Sequence, residues 1–424
     1  MSIISEIKKK KHNVFRRLWF KRRLQTGEYE SSWIQIPNQY ITSWGQVNFQ
    51  VDDIMPNFYS FSGNTFEVVN NDGFFSNTDA PSSLFFGCLS RYRTLVKLEA
   101  GYIDNNGVEL PTNSTLYIGV LGEDMKYQED NRVSFQTKHI SSIFEEFQAD
   151  RITGLGATQT ASDIITKIKD HADAGAVKIF QKYISSTAWN IQTTTTNYNL
   201  ATSTSLQNVS CWELMQKLAG AENFVVYVDS TGNFNFIQRT VNTTTAQYHF
   251  SGLSDTDKTY GHNIMKKISI DDGIRKVYNR IKIKISNEDT LTSYYIKNET
   301  WQWGDSSSSF MFGVREYNYE NYWLETVTAS VIADNIYNEY SRPKKEVELE
   351  VKFVPQLNLL DRVSLTYKTK TLIGQDKWGY FNWDEGIWGG AVGYNINLND
   401  VDYKIINLTH NINEFKSKTL LREI

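Results

Sequence analysis

Cysteine is nearly missing from this chain: 424 residues contain only Cys88 and Cys211, far apart. That excludes a disulfide framework, and the pair has no zinc-type spacing. Two reduced thiols made in a cytoplasm are the simpler reading. Histidine is scarce too. His12, His139, His171, His249, His262 and His410 include no H-x-x-x-H or H-x-H pair, so a metal site has little local support. No run of 18 apolar residues occurs, which leaves no transmembrane helix. The N-terminus lacks the apolar stretch and cleavage site of a secretory signal. G-x-S-x-G, P-loop and H-E-x-x-H motifs are also missing. Gly154-Leu155-Gly156 lacks the third glycine of a dinucleotide loop and reads as a plain loop. Glycosidase chemistry needs only two carboxylates, so 48 acidic residues leave it open. Asp384 and Glu385 are adjacent, however, and neighbours in a strand point apart. The expectation is a non-enzymatic protein with no catalytic residue, cofactor or metal.

Strand-forming residues are what the chain has in abundance. It is 40% hydrophobic and 14% aromatic, ample for burial and unlike a disordered chain. Thr, Tyr, Ile, Val, Phe, Asn and Ser suit strands and their turns. The length predicts two to four domains. Residues 33–37, 47–51, 65–70, 93–99, 115–121 and 132–136 alternate like half-buried strands, with a turn signal at Asn71-Asp72-Gly73. The texture changes near 140. Ile164, Ile165, Ile168 and Ala172 have helical spacing after a Ser162 or Asp163 cap. Residues 210–220 predict a helix opened by Ser210 and Glu213 and stopped at Gly220. A hairpin over 224–237 follows, turning at Asp229–Gly232. From about 264 the pattern returns to β, with clean alternation over 277–285 and strands at 346–354, 362–367 and 403–408. A helix over 326–340 interrupts it and ends before Pro343.

The expected fold class is mainly β with an α+β insert: two β-barrel domains framing a small α+β domain. The expected parts are a basic N-terminal arm (1–28), a first barrel (29–140), the α+β domain (141–245) and a second barrel (246–424). The last part carries the 326–340 helix and an aromatic loop insertion at 370–400.

Two segments stand out as candidate contact sites. Residues 1–23 hold nine Lys/Arg against one Glu, leaving 35 Lys/Arg against 47 Asp/Glu elsewhere. Lys8, Lys9, Lys10, Lys11, Arg16, Arg17, Lys21, Arg22 and Arg23 interleave with Phe15, Leu18, Trp19 and Phe20. Phe15 and Trp19 are four apart, so a short helix could put both on one side. A nucleic-acid or membrane-surface contact is the sharper reading. An arm that docks on an acidic neighbouring subunit, and can be deleted without harm to the fold, is the favoured one. The second segment gathers Trp378, Tyr380, Phe381, Trp383 and Trp388. Flat rings of this kind stack on sugars, but packing against the barrel or a neighbour is favoured.

Several phrases, in order, carry a resemblance. They are the 93–101 strand with Thr115–Leu121, the helix Ser210–Ala219, and the hairpin Phe224–Phe236. Val277–Ile281, the helix Thr326–Tyr340, Leu357–Val363, Tyr403–His410 and Thr419–Glu423 follow. Over about residues 45–424 the chain resembles the tail hub proteins of tailed bacteriophages, related to the spike-bearing hubs of contractile injection systems. The basic arm and the aromatic insertion depart from that pattern.

The resemblance implies a structural virion protein of the tail tip, assembled in the host cytoplasm. It implies a homotrimer in which two barrels per subunit make six positions under a six-fold tube, closing its distal end and forming part of the genome ejection channel. In that pattern 277–281 opens the second barrel. The implied partners are a tail tube or distal tail protein, the tape-measure protein's C-terminus, and receptor-binding or fibre proteins. DNA is present only in transit, and an acidic wall would not hold it by counterion release. The alternatives are a carbohydrate- or receptor-binding tail protein acting through the Trp-rich loop, and a tail-tip cell-wall hydrolase.

Overall fold

The computed structural model describes residues 6–424 except 8, 10, 25–27, 52–58, 62, 77–82, 86, 90–93, 113, 156–158, 173–177, 199–205, 207, 239–245, 247, 252–264, 286–293, 300–306, 321–325 and 374–390. The fold is mainly β. Among the described residues, strands gather into two half-barrel sheets of eight strands and three smaller sheets.

The first large sheet runs Ile34–Ile36, Asn13–Arg22, Thr94–Ile103, Thr115–Tyr127, Arg132–His139, Thr65–Val69, Ile41–Ser43, with Glu109–Leu110 added to Thr94–Ile103. Its second member corrects the expected arm. Asn13–Arg22 pairs antiparallel with Thr94–Ile103 along ten residues, from Asn13↔Ile103 to Arg22↔Thr94. Residues four apart share a face in a strand as well as in a helix, so the Phe15–Trp19 spacing cannot choose between them. A long partner strand and the strand preference of Val, Phe and Trp decide. Leu18 and Phe20 are fully buried, each worth about 1.5–3 kcal/mol of burial. The Phe20 ring packs edge-on against Phe66, Phe85 and Phe135.

The second sheet runs Tyr248–Ser251, Arg362–Ile373, Ala391–Asn411, Lys416–Glu423, Glu346–Lys352, Met265–Asp271. Gln46–Val51 joins it by pairing with Ala391–Asn411, Leu408 opposite Phe49, and Tyr59–Phe61 pairs with Gln46–Val51 in turn. Residues 46–51 therefore belong with the second sheet rather than with the 29–140 segment. The two sheets do not keep separate interiors. Leu18, Val96 and Leu98 of the first share one core with Val347, Leu349, Val363 and Leu421 of the second.

The central part is built as its apolar spacing predicts, with shifted ends. Helix Ala161–Lys169 is capped by Thr160, whose Oγ1 accepts from Asp163 N at 3.2 Å, rather than by Ser162 or Asp163. Its Ile164, Ile165 and Ile168 are buried. Helix Cys211–Glu222 starts where expected, with Ser210 Oγ accepting from Glu213 N at 3.1 Å. It runs through Gly220 and stops at Asn223, which takes the left-handed conformation at φ 56°. The hairpin Phe224–Val228/Phe234–Gln238 forms, and Trp189–Ile191 adds to it in parallel.

The expected 246–424 segment is not one unit. Arg280–Lys284 forms a three-stranded sheet with Tyr294–Asn298 and Glu316–Glu320, and does not open the second half-barrel. Its Ile281 and Ile283 share a core with Ile332, Ala333 and Ile336 of the helix Thr326–Tyr340, and with the central helices. That helix has its expected bounds, but its apolar face serves the central core.

Candidate functional site

The basic residues are largely spent inside the fold. Lys9 pairs with Glu6 and donates to Asn105 Oδ1 at 3.0 Å. Arg16 reaches the Asn413 carbonyl at 3.2 Å and lies over the Phe415 ring. Arg17 donates to Glu109 at 2.9 Å and covers Phe15. Trp19 Nε1 donates to Glu99 at 2.8 Å. Lys21 sits 5.8 Å over the Trp33 ring. Arg22 Nε donates to Glu30 at 3.0 Å, and the Arg22 guanidinium holds the Glu30 carboxyl below its ordinary range. Arg23 bridges the backbone of Tyr29. Lys11 is exposed; Lys8 and Lys10 lie outside the described residues.

The expectation of a detachable docking arm therefore gives way. Its acidic counterparts Glu99 and Glu109 stand far along the chain, and Glu30 lies beyond the basic run. Strand pairing brings them alongside. Trp378, Tyr380, Trp383 and Trp388 lie outside the described residues.

Two features join the parts. The first is an ion cluster where the helix Thr326–Tyr340 meets the second sheet. Glu339 pairs with Lys404, whose side chain is 6% exposed. Lys344 stands 3.4 Å and Arg422 3.7 Å from the same carboxylate. The Arg422 guanidinium lies 3.9 Å over the Tyr340 ring, and Glu346 ties in Lys276 at 2.9 Å. Burial raises the Glu339 pKa, but Lys404, Lys344 and Arg422 outweigh it and hold the carboxyl below its ordinary range.

The second is a cavity of about 260 Å³ where both large sheets meet the central hairpin. Leu116 comes from the first sheet, Phe49, Leu408 and His410 from the second, and Tyr227 and Ser230 from the hairpin. Leu357 and Asn358 line it from the loop before Arg362. The wall is mixed: leucines and Phe49 give it apolar stretches, and Thr115, Asp229, Asn358 and His410 bring polar groups to it.

Among the described residues, chemically reactive arrangements are sparse. Cys211 is buried, which pushes its thiol up to about 12 and leaves no thiolate at neutral pH. His249 lies between Thr366 Oγ1 at 3.1 Å and Asp400 Oδ1 at 3.0 Å. Thr366 is 3% exposed and its oxygen accepts the Asp400 N–H at 3.0 Å, so this trio ties strands together. Among the described residues no group of three or more His, Cys, Asp or Glu could hold a metal ion. No described helix is long and apolar enough to cross a membrane.

Neither the ion cluster nor the cavity is marked by a sequence motif. One local signal existed: His410 and Ser417 face each other across the hairpin joining Ala391–Asn411 to Lys416–Glu423. Nothing local marks Glu339 and Lys404 as partners.

No family model matches the sequence, and no curated protein matches it. Solved structures do. A tail protein from Neisseria meningitidis is similar at TM-score 0.50 and 8% identity, over 96% of each chain. A 43 kDa tail protein of prophage MuSo2 from Shewanella oneidensis follows at TM-score 0.49 and 11% identity, over 96% of this chain and 98% of that one. A prophage tail protein from Listeria monocytogenes has TM-score 0.47 at 11% identity, over 96% and 94%. At such identities the first likeness is one of fold: over nearly its whole length the chain shares the fold of that tail protein.

Proposed function

We propose that this chain is a structural, non-enzymatic subunit of a phage-type tail: a homotrimeric hub at the distal end of the tail tube. The observation that carries the reading is the pair of half-barrel sheets packed on one shared core within a single subunit, in a chain with a tail protein's fold. Three subunits of this build offer six sheet positions around one axis, which suits a three-fold tip beneath a six-fold tube. The tube or distal tail protein, the tape-measure C-terminus and fibre proteins are the partners this role needs, with DNA passing through the ring. Genome ejection, host entry and assembly in the host cytoplasm belong to the same reading. Two facts support a scaffold rather than a catalyst. The buried thiol is protonated, and the His249 trio holds strands together.

Light scattering on the purified protein at several concentrations tests it. Three times 49.0 kDa gives a mass near 147 kDa for the trimer. A stable dimer or hexamer would count against the hub. If the free protein is monomeric, labelled antibody should find it at the tip of assembled tails, and its absence there would overturn the reading.

A further inference from the structure

His410 is 1% exposed and lies on the wall of the junction cavity. Its Nδ1 is 2.9 Å from Ser417 Oγ. That oxygen already accepts the Val354 N–H at 3.1 Å. Ser417 is fully buried, so its own hydrogen needs an acceptor, and Nδ1 is the one within hydrogen-bond distance. The hydroxyl therefore donates to Nδ1, which places the ring proton on Nε2. Burial also keeps the ring neutral, lowering its pKa to about 3. Nε2 makes no hydrogen bond to the described residues. The Phe49 and Phe353 rings flank the imidazole edge to face, at 6.2 and 5.2 Å between centroids. They hold it in place without offering it an oxygen or nitrogen acceptor.

We propose that this cavity is a binding site for a small apolar group carrying one neutral hydrogen-bond acceptor, such as a carboxamide on an aromatic ring, with His410 Nε2–H as the donor. Leu116, Leu357 and Leu408 supply the apolar wall. Half-buried Ser230 and exposed Asn358 form its rim, so the entrance lies on the side of the central hairpin. A neutral imidazole suits a neutral carbonyl, whereas an anion entering there would meet Asp229, which also lines the cavity and accepts the Thr231 and Asn233 N–H groups of its own turn. The size suits one ring with its amide, just below the usual range of ligand pockets. The same chemistry could arrive as a free molecule or as a residue of an inserted polypeptide. Binding of this kind does not depend on the chain being a hub.

The test uses the full chain with ¹⁵N-labelled histidine. Benzamide, toluene and N-acetylphenylalanine amide are titrated separately, with the His410 ring nitrogens as the readout. Saturable benzamide binding with a shift at Nε2 is expected, about threefold to tenfold tighter than toluene, the contribution of one net hydrogen bond. Ser230→Trp fills the rim while leaving the sheets untouched, and should abolish binding of every probe. His410→Phe should bring benzamide and toluene to equal affinity. Binding of the capped amino acid without benzamide supports a polypeptide occupant; binding of benzamide without the capped amino acid supports a free one. The proposal is overturned if no probe saturates. Equal affinity of benzamide and toluene for the unmodified chain, as when the N–H points at a phenyl ring, or binding unchanged by Ser230→Trp, also overturns it.

Discussion

Glu339 and Lys404 are 65 residues apart, and their ion pair fastens the long central helix to the second sheet. Both charges are largely withdrawn from water, at 20% and 6% side-chain exposure. A buried pair of this kind contributes little over a well-packed apolar pair, but losing one partner strands the other.

Glu339→Gln should therefore destabilise the chain by about 3–5 kcal/mol. The double change Glu339→Gln with Lys404→Met should recover much of that loss. Urea unfolding of the unmodified chain, the two single variants Glu339→Gln and Lys404→Met, and the double variant checks it. A double mutant as unstable as the sum of two singles would show that the residues act independently.

Deleting residues 1–25 should unfold the protein, contrary to the behaviour of a detachable arm. The deletion removes the ten-residue strand Asn13–Arg22, and with it Leu18 and Phe20 from the shared core. Phe20→Ala alone should cost about 3–5 kcal/mol. Circular dichroism through a thermal ramp reads both. A truncated chain melting at the full-length temperature would return the segment to the status of an arm.

Stability should fall as the pH drops below about 6.5. Burial lowers both His139 and His410 to about 3. The unfolded chain binds protons at these rings before the folded one does. Their contribution is fully present above the unfolded value and is lost between there and the folded value. Asp361 works in the opposite sense, since burial raises it to about 6. Its folded carboxyl takes up a proton while the unfolded one is still ionised, so its contribution is present at low pH and is lost as the pH rises toward 6. Comparing melting temperatures of the unmodified chain and His139→Phe between pH 7.5 and 4.5 separates the two. The gap between the two proteins should change in favour of the variant as the pH falls, and a constant gap would refute the assignment.

Local pattern revealed local structure. The Thr326–Tyr340 helix and the Phe224–Gln238 hairpin were legible because spacing and caps determine them within one or two turns of chain. Partners were not legible. The alternation of 47–51 says strand, but nothing near it says that the partner is Ala391–Asn411. The alternation of 277–285 likewise says strand, and Ile281 and Ile283 reveal an apolar face without naming the helix that covers it. The basic segment misled for the same reason: its charge is visible in one dimension and its counter-charges only in three. Of the junction cavity, only the His410–Ser417 apposition had a local trace.

The pairing of Gln46–Val51 with Ala391–Asn411 bears on how the chain is made. At roughly 5–20 residues per second of synthesis, the early strand leaves the ribosome about 20–70 s before its partner does. For that interval Val47, Phe49 and Val51, all buried in the finished fold, have no second sheet to cover them. A chaperone that holds nascent apolar strands should therefore raise the soluble yield of this protein more than that of a protein whose strands pair with near neighbours.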